Sequence, residues 1–322
     1  MTWQQSLSQS LISFEELCAF LKLDLKALST TYAAIQSFPL RVPREFLSRM
    51  EKNNPNDPLL LQVLPQAIEM QNTIGFTKDP LQEQTQNPIP GLLHKYPNRV
   101  LLTLTGACAV HCRYCFRRHF PYENNLPSKI NWQRALLYIA NREQIDEVIL
   151  SGGDPLVLKD NLLAEFITQL ETIKHVKRVR LHTRLPIMIP ARVTDELVSL
   201  LSQSRFQVII VLHCNHANEI DEAVKNAVLK CRRALITVLN QSVLLKNIND
   251  NADALVNLSK RLFDMGVLPY YLHWLDKVEG SAHFDVPTEK ADALMVEIKK
   301  QLPGFLVPKL AREIPGMLHK VY

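Results

Sequence analysis

The chain has 322 residues, a net charge of +5, 47% hydrophobic and 21% charged residues, the balance of a globular protein with room for a large core rather than of a disordered tail. No apolar run is long enough to cross a bilayer, and the start Met1-Thr-Trp-Gln-Gln-Ser lacks the basic and apolar segments of an export signal, so a cytoplasmic location without a membrane partner is expected. The basic residues are spread out, except from Lys174 to Arg192. There they alternate with Val179 and Leu181 along a strand-like run and read as a solvated or anion-binding rim, not as a nucleic-acid face.

Residues 1–90 read as a helical, loop-rich extension. Leu11 to Leu21 carries an apolar face with Ser13, Glu15 and Glu16 near its start, and Pro55, Pro58 and Pro65 break up the next stretch. Pro80 to Pro97 reads as a polar, proline-rich connector. From Arg99 the pattern alternates. Apolar runs at Arg99–Thr105, Asp146–Leu150, Lys177–His182, Gln207–His213, Leu235–Asn240 and Leu268–His273 predict strands. Between and after them, helices are predicted at Trp132–Ala140 with Asn131 as N-cap, along the stripe Leu162 to Ile173, and at Asp195–Ser202, Glu219–Arg232, Ala252–Met265 and Glu289–Leu302. Strands alternating with helices predict an α/β fold with a parallel sheet. No Gly-x-Gly-x-x-Gly follows the first strand, which favours a six-stranded partial barrel over a dinucleotide-binding sheet. Each predicted strand ends in polar residues: the Cys108 loop, Ser151-Gly-Gly-Asp-Pro155, His182-Thr-Arg184, His213-Cys-Asn-His216, Asn240-Gln-Ser242 and His273-Trp-Leu-Asp276. In βα-barrels that rim carries the chemistry.

The most specific of these is Cys108-Ala-Val-His-Cys112-Arg-Tyr-Cys115-Phe-Arg117-Arg118. Three thiolates this close can hold three corners of a cubane iron–sulfur cluster and leave the fourth iron open. Structural zinc with His111 or His119 is the alternative, although zinc sites come as two separated ligand pairs and Cys18, Cys214 and Cys231 are scattered. A long chain without an export signal is a poor candidate for disulfides.

Cys-x-x-x-Cys-x-x-Cys resembles the signature of the radical S-adenosylmethionine (SAM) enzymes. With Arg117-Arg118, Ser151–Pro155 and Asn240-Gln-Ser-Val-Leu-Leu245, the chain resembles the lysine 2,3-aminomutase family from about residue 57 to 322. The resemblance implies a (β/α)6 TIM-like partial barrel of radical SAM type over 91–285, closed by a helix and lysine segment over 286–322. It implies a 4Fe–4S cluster on Cys108, Cys112 and Cys115, with SAM near Gly152, Gly153, Asp154, His213 and Gln241. It also implies pyridoxal 5′-phosphate (PLP), its phosphate near Lys95 and Arg99 and its Schiff base on Lys320, with Lys309 as second choice. Arg117 would hold the α-carboxylate of L-lysine, and Asp276 and Glu313 its ε-ammonium. The implied reaction is a 1,2-amino migration in the PLP aldimine, started by a 5′-deoxyadenosyl radical and needing an electron donor.

The ending Leu306-Val-Pro-Lys-Leu-Ala-Arg-Glu-Ile314 is similar to a shorter branch of the family, without the zinc-binding tail of the metabolic enzymes. That branch makes (R)-β-lysine for elongation factor P, with a β-lysine ligase as a further partner. A metabolic mutase giving (S)-β-lysine, or a non-enzymatic zinc protein, would be the alternatives.

Overall fold

The computed structural model describes residues 2–125 and 128–322. Eight strands form one sheet in chain order: β1 (Leu92–Tyr96), β2 (Arg99–Thr105), β3 (Glu147–Gly152), β4 (Arg178–Thr183), β5 (Gln207–His213), β6 (Thr237–Val243), β7 (Leu268–His273) and β8 (Lys309–Ala311). β1 runs antiparallel to β2, and every later pair is parallel. The expected six strands are therefore the middle of a sheet of eight. Two were missed for physical reasons: β1 lies inside the supposed proline-rich connector, and β8 is three residues long, too short for any periodicity to show.

The crossovers carry helices α1 (Lys129–Ala140), α2 (Asp160–Glu171), α3 (Asp195–Ser202), α4 (Glu222–Arg233), α5 (Ala252–Asp264) and, before β8, α6 (Thr288–Gln301). α1 starts earlier than expected, because Ser128 rather than Asn131 is its N-cap; the Ser128 hydroxyl accepts from the Asn131 amide at 3.1 Å. β6 runs past Asn240 to Val243, so Gln241 and Ser242 belong to the strand, and the register breaks between Asn240 and Gln241. Such breaks re-aim side chains and are common beside active sites.

Of the basic run from Lys174, Lys174 and Lys177 are exposed, whereas the arginines are largely paired or buried. Arg178 and Arg180 pair with Glu147 of the neighbouring strand, Arg178 also with Asp146, while Arg184 and Arg192 are buried. Parallel register sets Glu147 beside Arg178, so the charges compensate across the ladder.

The extension contains short helices, among them Phe14–Leu21, whose Ser13 N-cap and Glu16 form a capping box. Its Trp3, Leu21, Phe46 and Leu60 share one buried cluster with Val148, Leu181 and Leu212 of the barrel. Leu294 and Ile298 of α6 pack with Leu255 of α5 and Leu272 of β7 in a second.

Candidate active site

A cavity of about 840 Å³ runs through the barrel, a volume in the range of ligand pockets. Fourteen candidate residues line it: Cys108, Cys112, Cys115, Arg117, Gly152, Gly153, Asp154, His213, Gln241, Asp276, Glu313, Lys320, Lys95 and Arg99. Arg99 and Glu147, at the starting ends of their strands, share it with the rim residues, so the site is deeper than a rim.

The three thiols at one end are free, as are Cys18, Cys214 and Cys231. Burial and the neighbouring Cys115 push Cys108 well above its usual range; burial and Cys112 push Cys115 up to about 11. Ionising thiols so placed calls for a cationic partner. Among the described residues no set of three or more His, Cys, Asp or Glu is gathered around one ion position. His111 Nδ1 meets the Pro39 carbonyl at 2.8 Å and His119 Nε2 that of Glu279 at 3.3 Å. A cubane takes each thiolate on a different iron, and this loop supplies three.

Gly152 and Gly153 end β3 against this loop. Gly152 has φ +114°, and a Cβ there would lie 2.6 Å from the Thr105 carbonyl oxygen; at Gly153 it would lie 2.2 Å from that of Ala107. Only glycine lets the two loops approach so closely. Asp154 also lines the cavity and is tied into the fold. Its carboxylate accepts four hydrogen bonds, from the Leu156, Arg184 and Leu185 amides and the Thr183 hydroxyl, at 2.7–3.0 Å. Those donors saturate its lone pairs and tie β3 to β4. His213 meets the Gln241 amide at 2.7 Å. Burial with Arg184 nearby holds His213 down at about 3, and burial with Lys320 nearby does the same for His273, so both are neutral imidazoles.

Arg117 already has partners. Its Nε and Nη2 donate to Glu83 at 2.7 and 2.6 Å, and its Nη1 to the Ser151 hydroxyl at 3.1 Å. Elsewhere in the cavity, Glu313 accepts from Lys95 at 2.9 Å and from Lys320 at 2.5 Å. Burial opposes its charge, but Lys320 and Lys95 hold it down at about 2. Asp276 is the opposite case. No described residue donates a hydrogen bond to its carboxylate, and burial together with Glu313 pushes it up to about 7. Lys309 is exposed and lies outside the cavity lining.

Sequence reasoning missed several residues here. Glu83 comes from the connector and carried no motif. Tyr96 has a buried hydroxyl without a hydrogen-bond partner, and its ring lies 3.9 Å from the Arg99 guanidinium; its place between Lys95 and Arg99 was the available signal. Arg184 donates to Cys112 Sγ at 2.7 Å, the Tyr114 hydroxyl at 2.8 Å, Gln62 at 2.6 Å and Glu219 at 3.0 Å. The unpartnered buried atoms Tyr96 Oη, His182 Nε2 and Arg184 Nε are all on residues that line the cavity. Buried polar groups are normally satisfied. The Tyr96 hydroxyl, on a ring flanked by Lys95 and Arg99 with Glu313 also near, and Arg184 Nε, on a guanidinium that meets Cys112 Sγ, are polar atoms left over for ligands.

An open parallel α/β barrel with three cysteines beyond its first parallel strand defines a radical SAM protein. The Radical SAM superfamily profile matches residues 102–258. The solved structure of Streptococcus suis SuiB bound to S-adenosylmethionine shares the fold, with a TM-score of 0.50 and 15% identity over 72% of this chain and 52% of that one. Sequence similarity goes further. The chain is 53% identical to the L-lysine 2,3-aminomutase of Escherichia coli strain K12 (98% of this chain, 92% of that protein) and 50% to that of Haemophilus influenzae (93% and 90%). It is 34% identical to the L-lysine 2,3-aminomutase of Clostridium subterminale (98% and 76%). The chain belongs to the L-lysine 2,3-aminomutase family. It is thus a radical SAM isomerase, with a 4Fe–4S cluster, SAM and PLP as cofactors.

Proposed function

We propose that this chain converts L-α-lysine to (R)-β-lysine, and that the product serves the modification of elongation factor P through a β-lysine ligase. The observation that carries the lysine reading is Asp276, a carboxylate lining the cavity with no internal partner and raised to about 7. A ligand ammonium would restore its charge, and a neutral or acidic side chain would not. The finer reading rests on the likeness of the ending Leu306–Ile314 to the shorter branch of the family. The chain is also closer in identity and length to the Escherichia, Haemophilus and Buchnera relatives (53%, 50% and 48%, over 92%, 90% and 94% of their length) than to those of Clostridium subterminale and Bacillus subtilis (34% and 31%, over 76% and 67%), all of which share the name L-lysine 2,3-aminomutase.

When bound, the cluster and SAM supply a hydrogen-abstracting radical, and PLP supports the nitrogen shift. The chain's own residues set the geometry. Cys108, Cys112 and Cys115 hold the cluster. Gly152 and Gly153 would offer backbone to SAM, with His213 and Gln241 as further contacts. Lys95, Arg99 and Tyr96 take the phosphate, and Lys320 offers its amine to the cofactor. Arg117 grips the substrate carboxylate, while Asp276 and Glu313 receive the ε-ammonium. Fixing both ends of lysine aims its Cα–Cβ bond and limits which hydrogen can be removed.

The test is an anaerobic assay with reconstituted cluster, a chemical reductant, SAM, PLP and L-lysine, with products resolved by chiral chromatography. (R)-β-lysine is the expected product. The (S) form would place the enzyme in lysine metabolism, and deoxyadenosine without β-lysine would remove lysine as substrate.

A further inference from the structure

We infer that Glu83 is a positioning residue that fixes the guanidinium of Arg117 so that one N–H on each terminal nitrogen remains for a single substrate carboxylate. This rests on the reading of Arg117 as the substrate-carboxylate residue. An arginine has five N–H donors in a rigid plane. Glu83 takes Nε–H and one Nη2–H side by side, and Ser151 takes one on Nη1. Counting leaves two, one at each tip. The faces are also held: the guanidinium carbon lies 4.9 Å from the Phe116 ring centre and 6.0 Å from that of Phe120. An arginine fixed at edge, tip and face loses little freedom when its ligand arrives.

Glu83 is itself anchored, although it comes from outside the barrel. It opens the short turn Glu83–Gln86, and the Asp79 carboxylate accepts from its amide at 2.9 Å and from that of Gln84 at 3.3 Å. Leu81 is buried two residues earlier, and Gln82 has φ +52°, a left-handed conformation that a non-glycine residue keeps only where its surroundings hold it. The ion pair is buried on both sides, with side-chain exposures of 6% and 13%. The connector therefore contributes a residue to the site, from a segment that precedes the parallel strands of the barrel.

The test is equilibrium binding of L-lysine, and of cadaverine as the same diamine without a carboxylate, to protein loaded with cluster and PLP. E83Q should weaken L-lysine binding about tenfold or more, the scale of a lost charged hydrogen bond, and leave cadaverine binding unchanged. E83D keeps the charge but withdraws the carboxylate; it should weaken L-lysine in the same direction. Iron content and PLP absorbance show whether each variant is folded and loaded, and if E83Q fails to load, E83D alone decides. L-lysine binding equal to or tighter than wild type in the deciding variant would overturn the inference, because Glu83 would then be idle or a competitor for Arg117. Equal losses for lysine and cadaverine would overturn it as general damage. R117A separates the two readings. If R117A binds L-lysine normally, the role of Arg117 itself fails. If R117A loses affinity, adding E83Q should cost nothing further, and an additional loss would show that Glu83 acts by another route.

Discussion

Asp276→Asn should stabilise the ligand-free protein while disabling it. The carboxyl moves from an ordinary 3.8 to about 7 because it is buried beside Glu313 without a donor. At about 1.4 kcal/mol per pH unit, keeping it in the fold costs at most about 4 kcal/mol at alkaline pH. For an acid raised in the folded state, the cost is absent below the unfolded value of 3.8, grows as the pH rises, and is complete above about 7. Urea unfolding without lysine should therefore show D276N more stable than wild type by about 3 kcal/mol at pH 8, the amide retaining part of the burial cost, and nearly equal to it at pH 4. Adding lysine should raise the midpoint of wild type and leave that of D276N unchanged. A wild type as stable as D276N at pH 8 would refute the reasoning, because Asp276 would then have a compensating partner in the fold.

The same group gives lysine binding a pH dependence: affinity should rise up to about pH 7 and level off above it, as isothermal calorimetry would show. Lys320→Ala should abolish borohydride trapping of PLP, and persistent labelling would move the Schiff base to another lysine. In the same variant Glu313 keeps Lys95 as partner, so the fold should survive. Cys112→Ala should reduce iron to background after reconstitution, and unchanged iron would dismiss the cluster assignment. Gly153→Ala should lose SAM cleavage, because its Cβ would sit 2.2 Å from the Ala107 carbonyl oxygen; wild-type cleavage would show that the two loops can separate.

What the sequence makes legible is local. The cysteine loop, Arg117 and the two glycines lie within a few residues of strand ends, and fixed spacing is enough to place them. Their partners are not local. Glu83 meets Arg117 across 34 residues, and Gln62 meets Arg184 across 122, so no window of sequence joins them. Asp154 shows both sides: its place beside the glycines is legible, while two of its four donors, the Thr183 hydroxyl and the Arg184 amide, come from 29 and 30 residues away. The parallel core strands were readable because each keeps a run or alternation of apolar residues on the face packed against the helices, as in Val179 and Leu181 of β4 and Val208, Ile210 and Leu212 of β5. β1 and β8 are edges, short and mixed in composition, and edges seldom write themselves into a pattern.

Those edges bring a mechanical consequence. β1 and β8 end the sheet and do not pair with each other, so no backbone ladder closes the barrel. The seam is bridged instead by side chains: Lys95 of β1 reaches Glu313, two residues beyond β8, and also donates to the Ile314 carbonyl at 3.4 Å. Both ends of that bridge line the cavity. Whatever fills the cavity therefore competes for, or reinforces, the contact that holds the two margins together. The girth of the barrel is coupled to its contents, and amide hydrogens along the two edge strands should exchange at rates that follow cavity occupancy, while the central ladders stay indifferent to it.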